Sequence, residues 1–544
     1  MESPQRRLRA LPGRRLAFRA SALHLAVDGR AGTLSRMSEI RRILVANRGE
    51  IAVRVIRACR DLEIESVAVY SDADREALHV RYANRAYRLG PASASDSYLR
   101  IDRLLEVARR AEVDAVHPGY GFLAENPEFA GAVVDAGLIF IGPGAEAMAA
   151  VGDKNEARRI ATRAGVLTIP GSPEPVESAE AAADWAAQLG YPVMLKAVAG
   201  GGGKGMRQVA DREHIPAAFR AATSEAISAF GDGRMYIEKV ILAPRHVEIQ
   251  ILCDQHGNRV HLGERECTLQ RRHQKVLEES PSLVLDEGLR KRMGAAALAI
   301  AEAADYTNAG TVEFLLDGKR NFYFMEVNAR LQVEHPVTEM VTGIDLVVAQ
   351  IAIAEGKELS VQQQDVRLRG HAIECRVYAE DPAAGFAPAP GVIEGLRVPG
   401  GPGIRDDSAL YLGYEVPIFY DPLISKLIAW GPDRPTALRR MRRALQEYKV
   451  VGIATTIPLF LRILEDPDFI AGKFDTGYLD HLLRQEGGLG PAHDRRAEID
   501  DLAAIAAVLH VFLRQEARAY RVMPPGASGW KTAGRNACVR DFRR

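Results

Sequence analysis

The chain has 544 residues, which is too long for one hydrophobic core and predicts roughly three to four domains. Lys plus Arg equals Asp plus Glu at 71 each, so the charge balance gives no reason to expect a nucleic-acid partner or a membrane surface. The sequence contains no apolar run near the ~18 residues that a membrane span needs. Its five cysteines are scattered without a CxxC pair, which fits a reducing compartment and predicts a cytoplasmic protein.

Residues 1–36 form an Arg-rich extension that is nearly free of acidic residues. Two interpretations remain open. Mitochondrial transit peptides have this composition, and such a segment would direct the protein to mitochondria. Alternatively, the start is over-extended and Met37 opens the protein just before the first predicted strand. The second interpretation is favoured because the whole chain is rich in Arg and Ala.

Residues 37–151 are predicted to form a first domain in which strands and helices alternate. The predicted strands are ILVAN, SVAVYS, DAVHP and LIFIGP, and the predicted helices are GEIAVRVIRACRDL and DRLLEVARRAE. This alternation indicates a parallel sheet. The turn NRGE at residues 47–50 lacks the GxGxxG pattern and is assigned a structural role. The loop HPGYGFLAEN at residues 117–126 follows a strand, where open α/β sheets bind their ligands.

A second predicted domain covers residues 152–354 and begins with a helix for which Asp153 is the expected N-cap. The strand PVMLKAVA then leads into the run GGGGKG. This run is not a P-loop, because Gly205 follows Lys204 where Ser or Thr would hold a metal. A lone glycine run is more often a linker, but consecutive glycines also let backbone N–H groups cover phosphates as a flexible lid. Lys196 lies within the preceding apolar strand and therefore needs an anionic partner.

Two further stretches of this domain concentrate polar side chains. His246 and Glu248 are two residues apart on a predicted strand and therefore share one of its faces. The next segment brings Gln270, His273 and Lys275 together with two arginines. A charge run is usually a solvated surface, but the position of this one between two strands predicts an anion-binding edge.

The stretch NFYFMEVNARLQVEHP has the most regular pattern in the chain. From Glu326 to Glu334 every second residue is polar, and side chains alternate across an extended chain with period 2. The pattern predicts a strand and its continuation, with five polar groups spread over roughly 26 Å of one face. The alternative is an ordinary amphipathic strand with a solvated face.

Glu313 lies on the apolar strand TVEFLL that precedes this stretch, and Asp317-Gly318 is a predicted turn between the two. Glu313, Glu326 and Asn328 are therefore expected on neighbouring strands. Carboxylate and amide oxygens are the ligands that Mg²⁺ prefers when it binds with nucleotide phosphates.

Residues 355–484 are predicted to form a third domain of mixed α+β structure. Short strands separated by Pro- and Gly-rich turns precede the predicted helix RPTALRRMRRALQEYKV. Arg376 alternates with Glu374 on the strand HAIECRVYAED. Residues 485–544 hold the amphipathic segment AEIDDLAAIAAVLHVFLRQEARA and a basic tail.

Over residues 40–483 the chain resembles the biotin carboxylase subunit of acetyl-CoA or propionyl-CoA carboxylase. The strings that carry the resemblance are ILVANRGEIAVRVIRACR, HPGYGFLAENPEFA, GDKNEAR, KAVAGGGGKGM, PRHVEIQ, RRHQKVLEESP, MEVNARLQVEHPVTE, HAIECRVYAED and YDPLISKLI. The resemblance implies α/β and α+β structure in three domains. These are an N-terminal pre-ATP-grasp domain, an ATP-grasp domain with a mobile lid at about residues 168–242, and a C-terminal biotin carboxylase domain.

The resemblance also implies roles for individual residues. ATP would be bound by Lys154, Lys196, Gly202, Gly203, Gly205, Met206, Glu238, Lys239, Ile241, His246, Gln270 and His273. Mg²⁺ or Mn²⁺ would be bound by Glu313, Glu326 and Asn328, and bicarbonate by Lys275, Arg330, Gln332 and the backbone of Val333. Glu334 would be the base that deprotonates bicarbonate, and Arg376 would contact the ureido group of biotin.

The implied reaction is ATP-dependent carboxylation of biotin by bicarbonate through carboxyphosphate, the first half-reaction of an acyl-CoA carboxylase such as acetyl-CoA carboxylase in fatty acid biosynthesis. The sequence contains no Met-Lys-Met attachment motif, so biotin is expected on a separate carrier protein. The expected partners are that carrier, carboxyltransferase subunits and a second copy of the chain, with the helix after Leu483 as a docking element. The alternatives are another ATP-grasp ligase that forms an acyl-phosphate and an inactive nucleotide-binding scaffold.

Overall fold

The structure is a computed structural model that describes residues 39–198 and 205–484. The Arg-rich extension, Gly202 and Gly203 of the predicted lid, and the helix predicted after residue 484 lie outside the described residues. Within the described ranges, no single helix is both long and apolar enough to cross a membrane. One bent pair, His335–Thr342 with Leu346–Ala354, meets the length and composition requirement only jointly, with an angle of 95° between its members.

The N-terminal part contains a five-stranded parallel sheet, as the alternating pattern predicted. Its elements are β1 (Arg42–Val45), α1 (Gly49–Asp61), β2 (Glu65–Ser71), α2 (Leu78–Tyr82), β3 (Arg85–Gly90), α3 (Ile101–Ala111), β4 (Ala115–His117), α4 (Pro127–Asp135) and β5 (Ile139–Phe140). The strand order is β3-β2-β1-β4-β5. Strand β3 was not predicted, because it is an edge strand in which only the last two residues are buried and the pattern lacks an apolar run.

A smaller antiparallel sheet follows, in the order β7-β6-β8. The elements of this region are α5 (Ala145–Gly152), α6 (Lys154–Arg163), α7 (Ala179–Leu189), β6 (Val193–Ala197), β7 (Met206–Val209), α8 (Ile215–Phe230) and β8 (Met235–Lys239). The predicted N-cap is confirmed. Oδ1 of Asp153 accepts hydrogen bonds from the backbone N–H groups of Asn155 and Glu156 at 2.9 and 2.8 Å, which satisfies two donors that the first turn of α6 leaves open.

An eight-stranded antiparallel sheet organises the rest of the described chain. Its first elements are β9 (Arg245–Cys253), β10 (Arg259–Arg271), β11 (Gln274–Ser280), α9 (Glu287–Ala303), β12 (Asn308–Leu316), β13 (Phe322–Asn328), α10 (His335–Thr342) and α11 (Leu346–Ala354). The later elements are β14 (His371–Tyr378), β15 (Glu380–Asp381), β16 (Ala387–Pro388), β17 (Gly391–Val392), β18 (Gly395–Arg397), β19 (Ile404–Ser408), β20 (Glu415–Val416), β21 (Leu423–Gly431), α12 (Arg434–Glu447), β22 (Lys449–Val451), α13 (Ile457–Ile463), α14 (Pro467–Ile470) and α15 (Tyr478–Arg484).

The strands of the large sheet lie in the order β13-β12-β9-β10-β11-β14-β21-β19. Strand β11 belongs to residues 152–354 and β14 to residues 355–484. These two strands pair, so the large sheet is continuous across the boundary between the two predicted domains. Side chains from both parts can therefore meet on one face of a single sheet. Helix α12 confirms the predicted helix RPTALRRMRRALQEYKV up to Glu447, whereas Lys449 and Val450 lie in β22.

Glu279 on β11 joins the large sheet to α12. Its buried carboxylate accepts hydrogen bonds from Arg434 Nε at 2.6 Å and from an Arg434 terminal nitrogen at 3.0 Å, and it lies 2.8 Å from His371 Nε2. Burial by itself raises the pKa of Glu279. The hydrogen bonds from His371 and Arg434 outweigh burial and lower the pKa to about 2.

The lowered pKa predicts how Glu279→Gln will affect stability. A carboxylate whose pKa is depressed on folding stabilises the protein above its unfolded pKa, and the contribution is lost as the pH falls through the folded value. We expect the substitution to reduce the free energy of unfolding at pH 7 by about 3 kcal/mol. The difference should narrow as the pH falls from about 4.5 towards 2.

Urea unfolding of both proteins at pH 7 and at pH 4 and below measures this difference. The control is Glu287→Gln, whose carboxylate is 68% exposed and pairs with Arg290 and Lys291. The control should change stability by less than about 0.5 kcal/mol. A difference for Glu279→Gln that does not vary with pH would contradict the assignment.

Candidate active site

A cavity of about 480 Å³, here called the main cavity, lies between the small sheet and one end of the large sheet. This volume is typical of a small-molecule site. Helix α6, strands β6 to β8 and strands β9 to β13 all contribute to its lining. The predicted site residues that line it are Lys154, Lys196, Met206, Glu238, His246, Gln270, His273, Lys275, Glu313, Glu326, Asn328, Arg330, Gln332, Val333 and Arg376.

The predicted metal ligands lie together on β12 and β13. Glu313 and Glu326 are directly opposite in the antiparallel register, joined by the predicted turn at Asp317. Nδ2 of Asn328 donates to Glu313 Oε1 at 2.8 Å. The pKa of Glu326 is raised, first by loss of hydration and then by the charge of Glu313. A divalent cation would relieve this repulsion, and two carboxylates with an amide oxygen form a donor set that fits Mg²⁺ or Mn²⁺.

Glu313 is also in contact with the side chains of Lys275 and His246. Lys275 Nζ donates to Oε1 at 2.7 Å, and His246 Nε2 lies 2.7 Å from Oε2. Burial raises the pKa of Glu313, but Lys275 and His246 together hold it well below its usual range. Glu313 is therefore ionised at neutral pH, as a metal ligand has to be.

The predicted extended row is wrong beyond Asn328. Strand β13 ends there, and Glu334 is the residue that precedes α10, with backbone angles of −82° and 12°. Pro336 lies in the first turn of α10, where its fixed φ favours a helix start. The polar residues converge because the chain turns. Nε2 of Gln332 donates to Glu313 Oε1 at 3.2 Å.

Glu334 is fully buried between two cations. Lys275 Nζ donates to Oε1 at 2.7 Å, and Arg376 donates to Oε2 at 2.9 Å. Burial raises the pKa of Glu334, but Lys275 and then Arg376 lower it well below its usual range. Glu334 is therefore ionised and can accept a proton, but it is a weak base as long as both cations are bound to it.

Arg376 is held by a second carboxylate, and Arg330 is held by one carboxylate from the N-terminal part. Nε of Arg376 donates to Glu278 Oε1 at 2.6 Å. Arg330 donates to Glu125 of the loop HPGYGFLAEN at 2.8 Å and to Gln332 at 2.8 Å. Arg330 therefore connects the N-terminal loop to the segment that follows β13.

A second cavity of about 330 Å³ adjoins the main cavity and shares Arg330, Val333 and Arg376 with it. The loop HPGYGFLAEN contributes residues 120–122 to its wall, which supports the expectation of a ligand site there. The turn NRGE, assigned a structural role from its sequence, lines the same cavity. The signal for it was available, because this turn follows β1, and β1 is the neighbour of β4 in the parallel sheet.

Other predicted residues take different positions. Lys196 has the anionic partner that its strand required, because it forms an ion pair with Glu238. Nζ of Lys239 donates to the carbonyls of Gly190 and Tyr191 at 2.8 and 3.0 Å, so its side chain points away from the main cavity. Neither Lys239 nor Ile241 nor Gly205 is in the lining. Any contact from Lys239 to a nucleotide would come from its backbone.

The turn between β10 and β11 carries His273 into the main cavity. Arg271 pairs with Gln274, and the two residues between them, Arg272 and His273, both have positive φ, at 52° and 64°. A two-residue hairpin turn of this kind usually needs Asn or Gly. Backbone strain of this kind clusters at ligand-binding sites, and His273 lines the main cavity.

Several residues around the site had no role in the sequence analysis. Glu248 is fully buried and accepts hydrogen bonds from both Lys275 and Arg265. The hydroxyl of Tyr236 donates to Asn155 Oδ1 at 2.5 Å in the wall of the main cavity. The shared strand face of His246 and Glu248 was the available signal for Glu248. Asn155 and Tyr236 gave no signal.

Three family profiles match the chain in sequence. These are the biotin carboxylase N-terminal domain at residues 39–148, the carbamoyl-phosphate synthase L chain ATP-binding domain at residues 153–362, and the biotin carboxylase C-terminal domain at residues 374–481. Together with the three-part fold, they define an ATP-grasp ligase.

Curated relatives match most of the chain. It is 52% identical over 441 residues to biotin carboxylase of Nostoc sp., covering 81% of this chain and 99% of the relative. It is 46% identical over 491 residues to the propionyl-CoA carboxylase alpha chain of Ruegeria pomeroyi, covering 86% and 72%. The chain therefore belongs to the biotin carboxylase family.

Solved structures give the same result. The complex of biotin carboxylase with β,γ-ATP from Campylobacter jejuni is similar with a TM-score of 0.79 and 47% identity, covering 81% of this chain and 99% of that one. The biotin carboxylase domain dimer of 2-oxoglutarate carboxylase from Hydrogenobacter thermophilus, solved with MgADP, ADP and bicarbonate, has a TM-score of 0.78 and 48% identity, covering 82% and 98%.

The opposed carboxylates on β12 and β13 predict that Glu326→Gln will weaken metal binding. The substitution keeps the shape of the side chain but removes one of the two negative charges. We expect the affinity for Mn²⁺ in the presence of ADP to fall by about 10-fold or more. Titration of the protein with Mn²⁺, with free Mn²⁺ followed by electron paramagnetic resonance, measures this affinity.

The control for this measurement is Glu302→Gln on α9, whose carboxylate is 71% exposed and lies outside the main cavity. Its Mn²⁺ affinity should equal that of the unsubstituted protein. An unchanged affinity in Glu326→Gln would remove Glu326 from the ligand set.

Proposed function

We propose that the chain carboxylates biotin, using ATP and bicarbonate, on a separate carrier protein. The observation that carries the proposal is the buried cluster of Lys275, Glu334 and Arg376 at the wall between the main cavity and the second cavity. It combines a base, a cation for one anionic substrate and a cation for a second substrate. The main cavity can then hold the nucleotide and bicarbonate, and the second cavity can hold biotin.

The main cavity is the proposed site of the nucleotide. Lys154, Lys196 and His273 line it and supply positive or hydrogen-bonding groups for phosphates. Mg²⁺ or Mn²⁺ held by Glu313, Glu326 and Asn328 would neutralise charge on the transferring phosphoryl group.

Bicarbonate is proposed to bind beside Lys275 and Arg330, with Gln332 and the Val333 backbone. An anion at this position shares the positive charge that now acts on Glu334, so the proton affinity of Glu334 rises when the substrate is bound. Glu334 then accepts the bicarbonate proton while the bicarbonate oxygen attacks the γ-phosphorus. The bond from γ-phosphorus to the bridging oxygen breaks, and ADP and carboxyphosphate form.

Biotin is proposed to enter through the second cavity. Carboxyphosphate divides into CO₂ and phosphate, and the phosphate takes the proton from N1′ of biotin. Arg376 lines both cavities and stabilises the negative charge that develops on the ureido oxygen. The N1′ nitrogen then forms its new bond with CO₂, shielded from bulk water.

The assembly around this reaction is proposed from the relatives. A biotin carrier protein is the required partner, and the domain dimer from Hydrogenobacter thermophilus supports a homodimer. The similar proteins are named for propionyl-CoA and 2-oxoglutarate as well as for biotin carboxylase alone, so the biotin carboxylase fold is shared by enzymes with different final acceptors. We propose a carboxyltransferase partner and an acyl-CoA acceptor, such as acetyl-CoA or propionyl-CoA. The proposed location is the cytoplasm.

ATP hydrolysis by the purified full chain with Mg²⁺ and bicarbonate, with and without free biotin, tests the proposal. We expect ADP formation to require bicarbonate and to be strongly stimulated by biotin. Hydrolysis that needs bicarbonate but ignores biotin would assign the chain to another ATP-grasp ligase that forms an acyl-phosphate. Absence of hydrolysis together with normal ATP binding would favour an inactive scaffold.

The base role predicts the effect of Glu334→Gln. The amide keeps the size of the side chain but cannot accept the bicarbonate proton, so biotin carboxylation should fall by about 10²-fold or more. Nucleotide affinity, measured by calorimetry with ADP, should stay nearly unchanged because Glu334 does not line the main cavity.

A matched control for this variant is Glu264→Gln. Glu264 is equally buried and is paired with Arg290 at 2.7 and 2.8 Å, but it is outside the main cavity. The control should lower stability without the loss of turnover. Near-normal turnover in Glu334→Gln would exclude Glu334 as the base.

A further inference from the structure

Lys426 on β21 is a fully buried lysine behind the wall between the main cavity and the second cavity. Its Nζ donates to the carbonyl oxygen of Val333 at 2.9 Å and lies 3.3 Å from Glu50 Oε1 and 4.0 Å from Asp407 Oδ2. Nζ is also 5.6 Å from the ring centroid of Tyr120. A buried ammonium is costly unless it is paired and hydrogen-bonded, so this arrangement needs an explanation.

We propose that Lys426 is a positioning residue. It holds the carbonyl group of Val333, and it thereby fixes the backbone that contacts bicarbonate and the backbone from which the Glu334 side chain extends. The inference rests on the proposed function and adds a residue to it. Lys426 does not line either cavity, so it acts through Val333 and not by touching a substrate.

The peptide unit between Val333 and Glu334 is the group that Lys426 holds. The carbonyl of Val333 and the N–H of Glu334 belong to one planar group. A donor that anchors this carbonyl therefore fixes the plane that joins the proposed bicarbonate contact to the proposed base. This segment has no strand partner, because β13 ends at Asn328 and α10 begins at His335.

Lys426 and Arg376 are neighbours in the large sheet. Lys426 is directly opposite Arg376 in the antiparallel pair of β14 and β21, so both side chains leave the same face of the sheet. Like charges in this relation repel each other unless each has its own acceptor. Arg376 binds the carboxylate of Glu334, and Lys426 binds the carbonyl of the preceding residue. Two neighbouring strands thus hold two consecutive residues of the site.

Lys426 also contacts two residues of the N-terminal part. Glu50 is in the first turn of α1 and lines the second cavity, as does Tyr120. Burial raises the pKa of Glu50 to about 7, and the charge of Lys426 acts against that rise. Lys426 therefore connects the wall of the second cavity with the backbone beside the main cavity, and the positions of the two proposed substrates depend on one cation.

The test compares Lys426→Met with the unsubstituted full chain in bicarbonate-dependent ATP hydrolysis. Methionine keeps an unbranched side chain of similar length but has no donor and no charge. We expect the KM for bicarbonate to rise by about 10-fold or more, because the backbone that contacts bicarbonate loses its anchor and shifts away from the bound anion. The KM for ATP and the calorimetric Kd for ADP should stay within about 2-fold. Lys426→Arg, which keeps the charge, should restore part of the bicarbonate affinity.

The matched control is Arg434→Met on α12. Arg434 is another buried cation that joins two parts of the chain, but its partners, Glu279 and the carbonyls of Phe469 and Ile470, are outside both cavities. The control should lose stability and keep its KM for bicarbonate. A purely structural role for Lys426 predicts the same result for Lys426→Met.

Glu50→Gln provides a second variant in case Lys426→Met does not fold. It removes the charge that faces Lys426 and keeps the size of the side chain, and we expect a rise of a few-fold in the KM for bicarbonate. An unchanged KM for bicarbonate in Glu50→Gln, or in a folded Lys426→Met, would overturn the inference while the proposed function stands. Lack of bicarbonate-dependent hydrolysis in the unsubstituted chain would instead overturn the proposed function, and the inference with it.

Discussion

The site depends on buried carboxylates that share a small number of cations. Lys275 donates to Glu248, Glu313 and Glu334, and Arg376 donates to Glu278 and Glu334. Removing charged groups from water costs several kcal/mol for each ion, and only close pairing and hydrogen bonding compensate for this cost. The pairing also holds Glu313 and Glu334 ionised, which a metal ligand and a base both require. Anionic substrates entering the cluster would compete for the same cations, so substrate binding and proton affinity are coupled.

The large antiparallel sheet makes this pairing possible. Apart from Glu334, which precedes α10, the carboxylates and cations come from β9, β11, β12 and β14, which are separated along the chain but close together in one sheet. Strand β11 provides both Lys275 and Glu278, and its pairing with β14 brings Arg376 to Glu334. The N-terminal part contributes Glu50 from α1, and Tyr120 and Glu125 from the loop that follows β4.

The sequence predicted the parts of the site that local patterns encode. The turn at Asp317 and the alternating polarity were enough to place Glu313 and Glu326 on neighbouring strands. Their direct opposition could not be predicted, because it depends on a register irregularity between Glu313 and Phe314. The same alternation failed after Asn328, since it does not reveal where a strand stops and a helix begins. Gln332 and Glu334 converge on Glu313 and Lys275 because the chain turns between β13 and α10. The convergence also depends on strands that are distant in sequence.

The sequence could have indicated that Lys426 is buried, but it could not have indicated its principal acceptor. A lysine inside the apolar strand YDPLISKLIAW raises the same question as Lys196 in PVMLKAVA, namely which anion compensates it. Lys196 was expected to have a partner and has Glu238. For Lys426 the principal acceptor is a backbone carbonyl on a different segment, and side-chain composition cannot indicate such a partner. The turn NRGE was given only a structural role because it lacks the GxGxxG pattern, although its position after β1 was a signal for a ligand site.

Transfer of label from [¹⁴C]bicarbonate to biotin tests the central claim most directly. The purified chain is supplied with ATP, Mg²⁺ and free biotin, and acid-labile carboxybiotin and ADP are measured together. The account predicts that labelled carboxybiotin forms only when ATP and bicarbonate are both present, with ADP formed alongside it. ADP formation that depends on bicarbonate but leaves biotin unlabelled would contradict the account, because the second cavity and Arg376 would then serve another acceptor.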